Sequence, residues 1–140
     1  MDVFSLGTPV IDQFAKVSKA GLVKFGLTPG ATNRMDATKL ASMERALGKR
    51  IIYRYPGDNA RNVCEGVAAL GGFAAYQGAV GTDKQASEIE ANLSDCGISN
   101  FLQEKRGSTG RIIALVSPDA EALHKAVACC ECQNQGEDLC

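Results

Sequence analysis

Apolar positions recur along this chain in two rhythms, one suited to strands and one to helices. Residues 2–7 alternate polar and apolar and reach Gly7, which predicts a short strand ended by Thr8-Pro9. Val17, Leu22 and Phe25 predict one loose helix over 17–25, closed by Gly26 and Pro29-Gly30. Asp36 stands at an N-cap position. Leu40, Met43 and Leu47 follow at spacings of three and four, and Gly48 stops that helix. Ile51-Ile52-Tyr53-Arg54-Tyr55 is rich in β-formers and predicts a strand. Val63, Val67 and Leu70 predict the buried stripe of a further helix, which Gly71-Gly72 closes. Gly66 inside it costs about 1 kcal/mol relative to Ala, so close packing against a neighbour is expected there.

Residues 73–80 predict a strand and Gly81-Thr82-Asp83 a turn, with Asp83 as the next N-cap. Ile89, Leu93 and Cys96 mark the inner face of a helix ended by Gly97. Residues 98–104 and 109–116 read as two strands of a hairpin, joined by Lys105-Arg106-Gly107-Ser108. Residues 120–128 are expected to form a turn or two of helix, and the polar, Cys-rich stretch beyond Cys129 a disordered tail. Helices thus alternate with strands from residue 36 to residue 104, the order of an α/β fold with a largely parallel sheet. No internal repeat is present.

Composition narrows the choice of partner. The 140 residues carry 15 basic and 16 acidic side chains, a net charge of −1. A phosphate backbone or an anionic membrane surface calls for a basic face, so neither nucleic acid nor membrane is expected as the main partner. Aromatic residues make up 6% of the chain and Trp is absent, which argues against a stacking platform for bases. No apolar run approaches the ~20 residues of a membrane span, and no secretory signal is read at the start, so a cytoplasmic protein is expected. Cys64 and Cys96 fit reduced thiols in the body of the fold. Cys129, Cys130, Cys132 and Cys140 crowd the end of the chain. Their irregular spacing is a poor zinc pattern and fits an oxidation-prone tail better; a metal or redox element is the remaining reading.

The chemistry-bearing residues cluster in two stretches. Gly7-Thr8-Pro9-Val10-Ile11-Asp12 places a carboxylate just past the C-terminal end of a strand, where ligands of open α/β sheets bind. Asp12 there is either a diol acceptor or a turn residue capping local backbone. Gly57-Asp58-Asn59-Ala60-Arg61-Asn62 opens a helix with a turn of small polar residues, a setting for a polyhydroxylated ligand or an anion. Asn62 carries an amide that both donates and accepts, as sugar hydroxyls require, or else bonds local backbone. Asp58 is either part of that site or simply the helix N-cap. Neither Gly-x-x-x-x-Gly-Lys-Ser/Thr nor Gly-x-Gly-x-x-Gly occurs, and the single histidine, His124, has no nucleophile partner in sight.

Taken together these stretches resemble the N-terminal, substrate-binding half of the ribokinase-like (PfkB) sugar and nucleoside kinases, over about residues 3–119. Gly7-Thr8-Pro9-Val10-Ile11-Asp12 is similar to the family's opening strand and substrate aspartate, and Gly57-Asp58-Asn59-Ala60-Arg61-Asn62 to its Gly-Gly-x-x-x-Asn motif. Leu70-Gly71-Gly72 and Gly78-Ala79-Val80-Gly81-Thr82-Asp83 resemble the helix end and strand that follow, and Thr109-Gly110 with Pro118-Asp119 the later hairpin. Phe25-Gly26-Leu27-Thr28-Pro29-Gly30 and Pro9 resemble the adenosine-kinase-like branch.

The resemblance implies an incomplete ribokinase-like fold: a mostly parallel sheet flanked by helices, with a small β lid. Residues 1–119 would form the kinase unit and 120–140 a divergent tail. It implies a sugar or nucleoside bound through Asp12, Gly57, Asp58 and Asn62, and transfer of the ATP γ-phosphoryl, with Mg²⁺, to a hydroxymethyl group. Three departures stand out: Asp58 replaces the second glycine, Ala86 replaces the glycine usual after Gly-x-Asp, and no Gly-Ala-Gly-Asp occurs. That last motif supplies the family's base and anion hole, so this chain holds no catalytic residue and no ATP or Mg²⁺ site on this reading. A truncated kinase, inactive alone, is the expectation, with a binding or regulatory module that dimerises through the lid strands as the alternative.

Overall fold

The computed structural model describes residues 1–27, 32–116 and 123–128, with Lys19, Ala20 and 123–128 given by backbone alone. Strands and helices run β1 Val3–Leu6, β2 Val10–Lys16, α1 Lys19–Lys24, β3 Thr32–Arg34, α2 Ala37–Leu47, β4 Ile51–Gly57, α3 Asn59–Ala69, β5 Ala74–Val80, α4 Lys84–Asp95, β6 Ser99–Glu104, β7 Gly110–Val116 and β8 Leu123–Ala128. They divide between two compact units. The described residues of the first fall within Met1–Ile11 and Pro56–Gly110, and those of the second within Asp12–Tyr55 and Arg111–Cys129.

In the first unit β1, β5 and β6 form a three-stranded sheet in the order β1-β5-β6. Every pairing is parallel, with Val3 opposite Ala74 and Ala75 opposite Ser99. Parallel neighbours need crossovers, and α4 supplies the one from β5 to β6. Asp83 starts α4 by accepting the Ala86 N–H at 3.1 Å. Ile89 and Leu93, one helical turn apart, are fully buried with Ile11, Cys64, Tyr76, Val80 and Ile98. The other face of the sheet carries Phe4 and Phe101, whose rings lie 5.8 Å apart and remain about half exposed.

In the second unit five strands run β3-β8-β7-β2-β4. β7 and β8 are antiparallel, β3 and β8 parallel. Asp36 caps α2 by accepting the Lys39 N–H at 2.8 Å. Leu40, Met43 and Leu47 then pack on Ala15 and Val17 and on Ile113 and Leu115 of β7.

Five expectations change. Residues 10–16 form a strand, because Gln13, Ala15 and Val10-Ile11 are buried while Phe14 and Lys16 are exposed; Asp12 is therefore the third residue of β2 and not part of a turn after β1. The strands at 98–104 and 109–116 are not a hairpin, since β6 and β7 belong to different sheets. The link between them is tied down instead, by Lys105 N–H on the Val80 carbonyl at 2.8 Å and Thr109 N–H on Asp83 at 2.9 Å. The stripe of α3 is rotated: Val63 and Leu70 are exposed, and Arg61 and Cys64 are buried with Ala60, Val67 and Ala68 alongside. Gly66 is also exposed, with no neighbour where a Cβ would stand. Finally, Leu123–Ala128 is strand β8, not helix; pairing with both β7 and β3 overrides the weak local signal of a short apolar run. The tail cysteines 129, 130, 132 and 140 lie outside the described residues.

Candidate acceptor site

The turn that opens α3 holds its backbone in an unusual conformation. β4 ends at buried Gly57, and Asp58 follows with φ 108 and ψ 160, the one non-glycine residue of positive φ among the described residues. Holding an L-residue there costs on the order of 1–3 kcal/mol, so surrounding contacts must fix it. They do so through the carboxylate. Oδ1 accepts the Arg61 N–H at 2.7 Å, and Oδ2 accepts the hydroxyl of Tyr76 from the middle of β5. Gly7 lies directly against this pair: a Cβ there would stand 2.5 Å from Asp58 Oδ2 and 2.6 Å from Tyr76 Oη. Burial, with the hydrogen bond and negative charge of Asp58 behind it, pushes the Tyr76 phenol well above its ordinary pKa, so Tyr76 stays a donor.

Arg61 anchors the other side of the turn. Its side chain is fully buried. Nε donates to Asn92 Oδ1 on α4 at 2.9 Å, as does Nη2, and Nη1 donates to Glu65 Oε2 at 2.7 Å and Asn62 Oδ1 at 3.1 Å. A buried guanidinium is tolerated only when its donors are met in this way. It locks α3 to α4 and orients the carboxamide of Asn62, which is exposed in the first turn of α3.

A second polar knot fixes the turn after β5. Asp83 Oδ1 accepts from Thr109 Oγ1 at 2.6 Å, and Thr109 Oγ1 accepts the Gly81 N–H at 3.0 Å. A side chain at Gly81 has no room, since a Cβ would come within 2.7 Å of Thr109 N.

The sequence-predicted residues are thus placed as follows. Gly57, Asp58 and Asn62 stand together on one turn of the first unit. Asp12 is half-buried on β2 of the second unit. Beside it along the strand, Gln13 donates through Nε2 to Glu44 of α2, which also pairs with Arg111 of β7 at 2.6 Å. Tyr76 escaped the sequence reading, and Arg61 and Thr109 entered it as motif positions without a role of their own. A hydrophilic residue two places into a helix reads as solvent-facing, and only the Asn92 and Glu65 partners reveal otherwise. Among the described residues no three His, Cys, Asp or Glu side chains gather as a metal site, and no helix is long and apolar enough to cross a membrane.

Comparison with known proteins assigns this architecture. Residues 20–124 match the model of the pfkB family carbohydrate kinases. Among solved structures, a probable sugar kinase from Rhizobium etli CFN 42 is 25% identical with a TM-score of 0.79, covering 96% of this chain and 41% of its own. Adenosine kinase from Sinorhizobium meliloti is 26% identical, with a TM-score of 0.78 and the same two coverages. Adenosine kinase from Schistosoma mansoni, solved with adenosine, shares the fold at 16% identity and a TM-score of 0.76, over 95% of this chain and 39% of its own. No curated protein matches the chain. The 140 residues span about 41% of the length of the first two of these structures, and they carry the mixed α/β order, the parallel sheet and the Gly57–Asn62 turn just described. This chain belongs to the pfkB family of carbohydrate kinases.

Proposed function

We propose that these residues form the acceptor-binding part of an ATP-dependent sugar or nucleoside kinase, and that Asp12, Gly57, Asp58 and Asn62 serve the acceptor. The observation that carries this reading is the over-determined turn at Asp58. A strained φ, a buried tyrosine, a glycine with no room for a side chain and a buried arginine all hold one short stretch of backbone and the amide of Asn62. Strain of this kind persists where function needs a fixed geometry. Both oxygens of Asp58 already accept protein donors, so Asp58 acts as a positioning residue. Gly57 offers backbone and Asn62 a carboxamide to hydroxyl groups, while Asp12 accepts from a vicinal diol.

Phosphoryl transfer rests on positioning and on electrostatic stabilisation of the transferring group. The Gly-Ala-Gly-Asp motif that supplies those groups in the family does not occur in these 140 residues. The chain on its own therefore binds the acceptor without turning it over. Calorimetry with adenosine, inosine and ribose, beside a coupled ADP-release assay, tests both halves. Saturable binding weakened by Asp12→Ala, with no ADP release, is expected. Absence of binding refutes the acceptor role, and robust turnover refutes the requirement for further groups.

A further inference from the structure

We infer that Arg61 fixes the polarity of the acceptor site: it holds the carboxamide oxygen of Asn62, so that Asn62 meets an acceptor hydroxyl as a hydrogen-bond donor through Nδ2. Arg61 is then a positioning residue, although it stands at one of the unspecified places of the Gly-Gly-x-x-x-Asn motif. This rests on the reading of Asn62 as an acceptor ligand. It adds the direction of the hydrogen bond and the residue that sets it.

A carboxamide has one accepting end and one donating end, and a half-turn about its last bond exchanges them. A guanidinium only donates, so the end of Asn62 that meets Arg61 is the oxygen. Nη1 of Arg61 reaches two acceptors, Asn62 Oδ1 at 3.1 Å and Glu65 Oε2 at 2.7 Å. The guanidinium cannot swing to suit the amide, because Nε and Nη2 both donate to Asn92 Oδ1 on α4. Its full burial keeps water from replacing a lost partner. The backbone of Asn62 is fixed as well, with its N–H on the Asp58 carbonyl at 3.0 Å. A flipped amide would press its Nδ2 hydrogens against those of Nη1, beside a full positive charge, and leave a buried donor unmet. The network therefore selects one of the two amide orientations, and α4 takes part in that choice through Asn92.

Asn62 is exposed, so a ligand can reach the end that Arg61 does not hold. A hydroxyl both donates and accepts. Facing Nδ2 it must accept, and its own proton is left for another partner. Fluorine in place of that hydroxyl keeps a weak acceptor and removes the donor; hydrogen in its place removes both. A side chain that donates therefore ranks the fluoro ligand above the deoxy ligand. One that accepts ranks them the other way, because it repels the partial negative charge of fluorine. A general loss of fold stability weakens every ligand alike and leaves the ranking unmoved.

The test is calorimetry on the 140-residue chain with adenosine, its 2′-deoxy and 3′-deoxy forms, and the two matching deoxyfluoro forms of ribo configuration. At one of the two positions the wild type should bind the fluoro form about threefold or more tightly than the deoxy form, within the range of one neutral hydrogen bond. Asn62→Asp keeps the Arg61 contact but offers only acceptors, and should invert that ranking. Arg61→Met frees the amide to present either end and should bring the ratio to about one, while Arg61→Lys restores a donor and recovers part of it. Asn92→Ala loosens the guanidinium from another helix and should lower the ratio too, which keeps the test decisive if Arg61→Met does not fold. Far-UV circular dichroism matching the wild type establishes the folded variants. A wild-type ratio of one or below at both positions would overturn the inference while leaving the acceptor reading in place. So would a ratio that the Arg61 and Asn92 variants leave unchanged. A wild type that binds no adenosine would overturn the acceptor reading, and this inference with it.

Discussion

The two units bury a guanidinium in opposite ways. Arg61 in the first is surrounded by acceptors from two helices, and Asn92, Glu65 and Asn62 meet its donors. Arg111 in the second depends on Glu44, and its Nε is buried with no partner. The charge beside the Asp58 turn is thus shared by a network that reaches the surface at Glu65 and Asn62. The charge under β2 and β7 is closed in, with side chains only 10% and 17% exposed. The contrast teaches that a buried cation shared among several acceptors can lose one and keep the others, whereas Arg111 has one ion pair among the described residues.

The largest effect should therefore come from Glu44→Ala. It strands a buried Arg111 and is expected to lower unfolding free energy by about 3–5 kcal/mol, read from urea midpoints. Arg61→Met keeps the volume and lets Glu65 turn to water, so about 2 kcal/mol is expected. A loss larger than that of Glu44→Ala would reverse the comparison. Gly7→Ala drives a methyl into the Asp58–Tyr76 pair and should cost about 1–3 kcal/mol. That loss should shrink when combined with Tyr76→Phe, which removes one of the two clashing oxygens.

Tyr76→Phe alone is the mildest change, about 1 kcal/mol at neutral pH. Its pH dependence is more telling. The folded-state pKa of Tyr76 is raised, by burial first and Asp58 second. Below about pH 10, the unfolded value, both states hold the proton and the advantage of the wild type is complete. Above it the unfolded chain releases a proton that the fold retains, so the advantage falls as pH rises. Wild type and Tyr76→Phe should differ evenly from pH 7 to 9 and converge beyond pH 10. A gap that widens there would show that the phenol ionises more readily in the fold.

Helix ends were legible in both units. Asp36, Asp83 and Gly48 marked helix ends because capping is local chemistry, and Ile89 and Leu93 marked a core face because a turn of helix spaces them. The failures share a cause in tertiary contacts. Gln13 is buried because Glu44 meets its amide, so β2 lacks the pattern of a strand with one apolar face. Arg61 turns inward because Asn92 waits on α4, and this shifts the buried face of α3 by about one residue. β6 and β7 separate because Asp83 and the Val80 carbonyl capture the link between them. Of the residues proposed to serve the acceptor, Gly57, Asp58, Asn62 and Asp12 were each visible as motif positions. The strain at Asp58 and its tyrosine partner were not, since a residue's φ and its contact 18 positions away leave no trace in spacing.

The claim that the Asp58 turn exists to present backbone and amide to an acceptor is tested most directly by amide chemical shifts during an adenosine titration. Gly57, Asp58 and Asn62 should shift saturably with one dissociation constant that matches Asp12, and the Asp12→Ala chain should lose those shifts. Adenosine that leaves the Gly57–Asn62 amides unmoved while others respond would contradict the account.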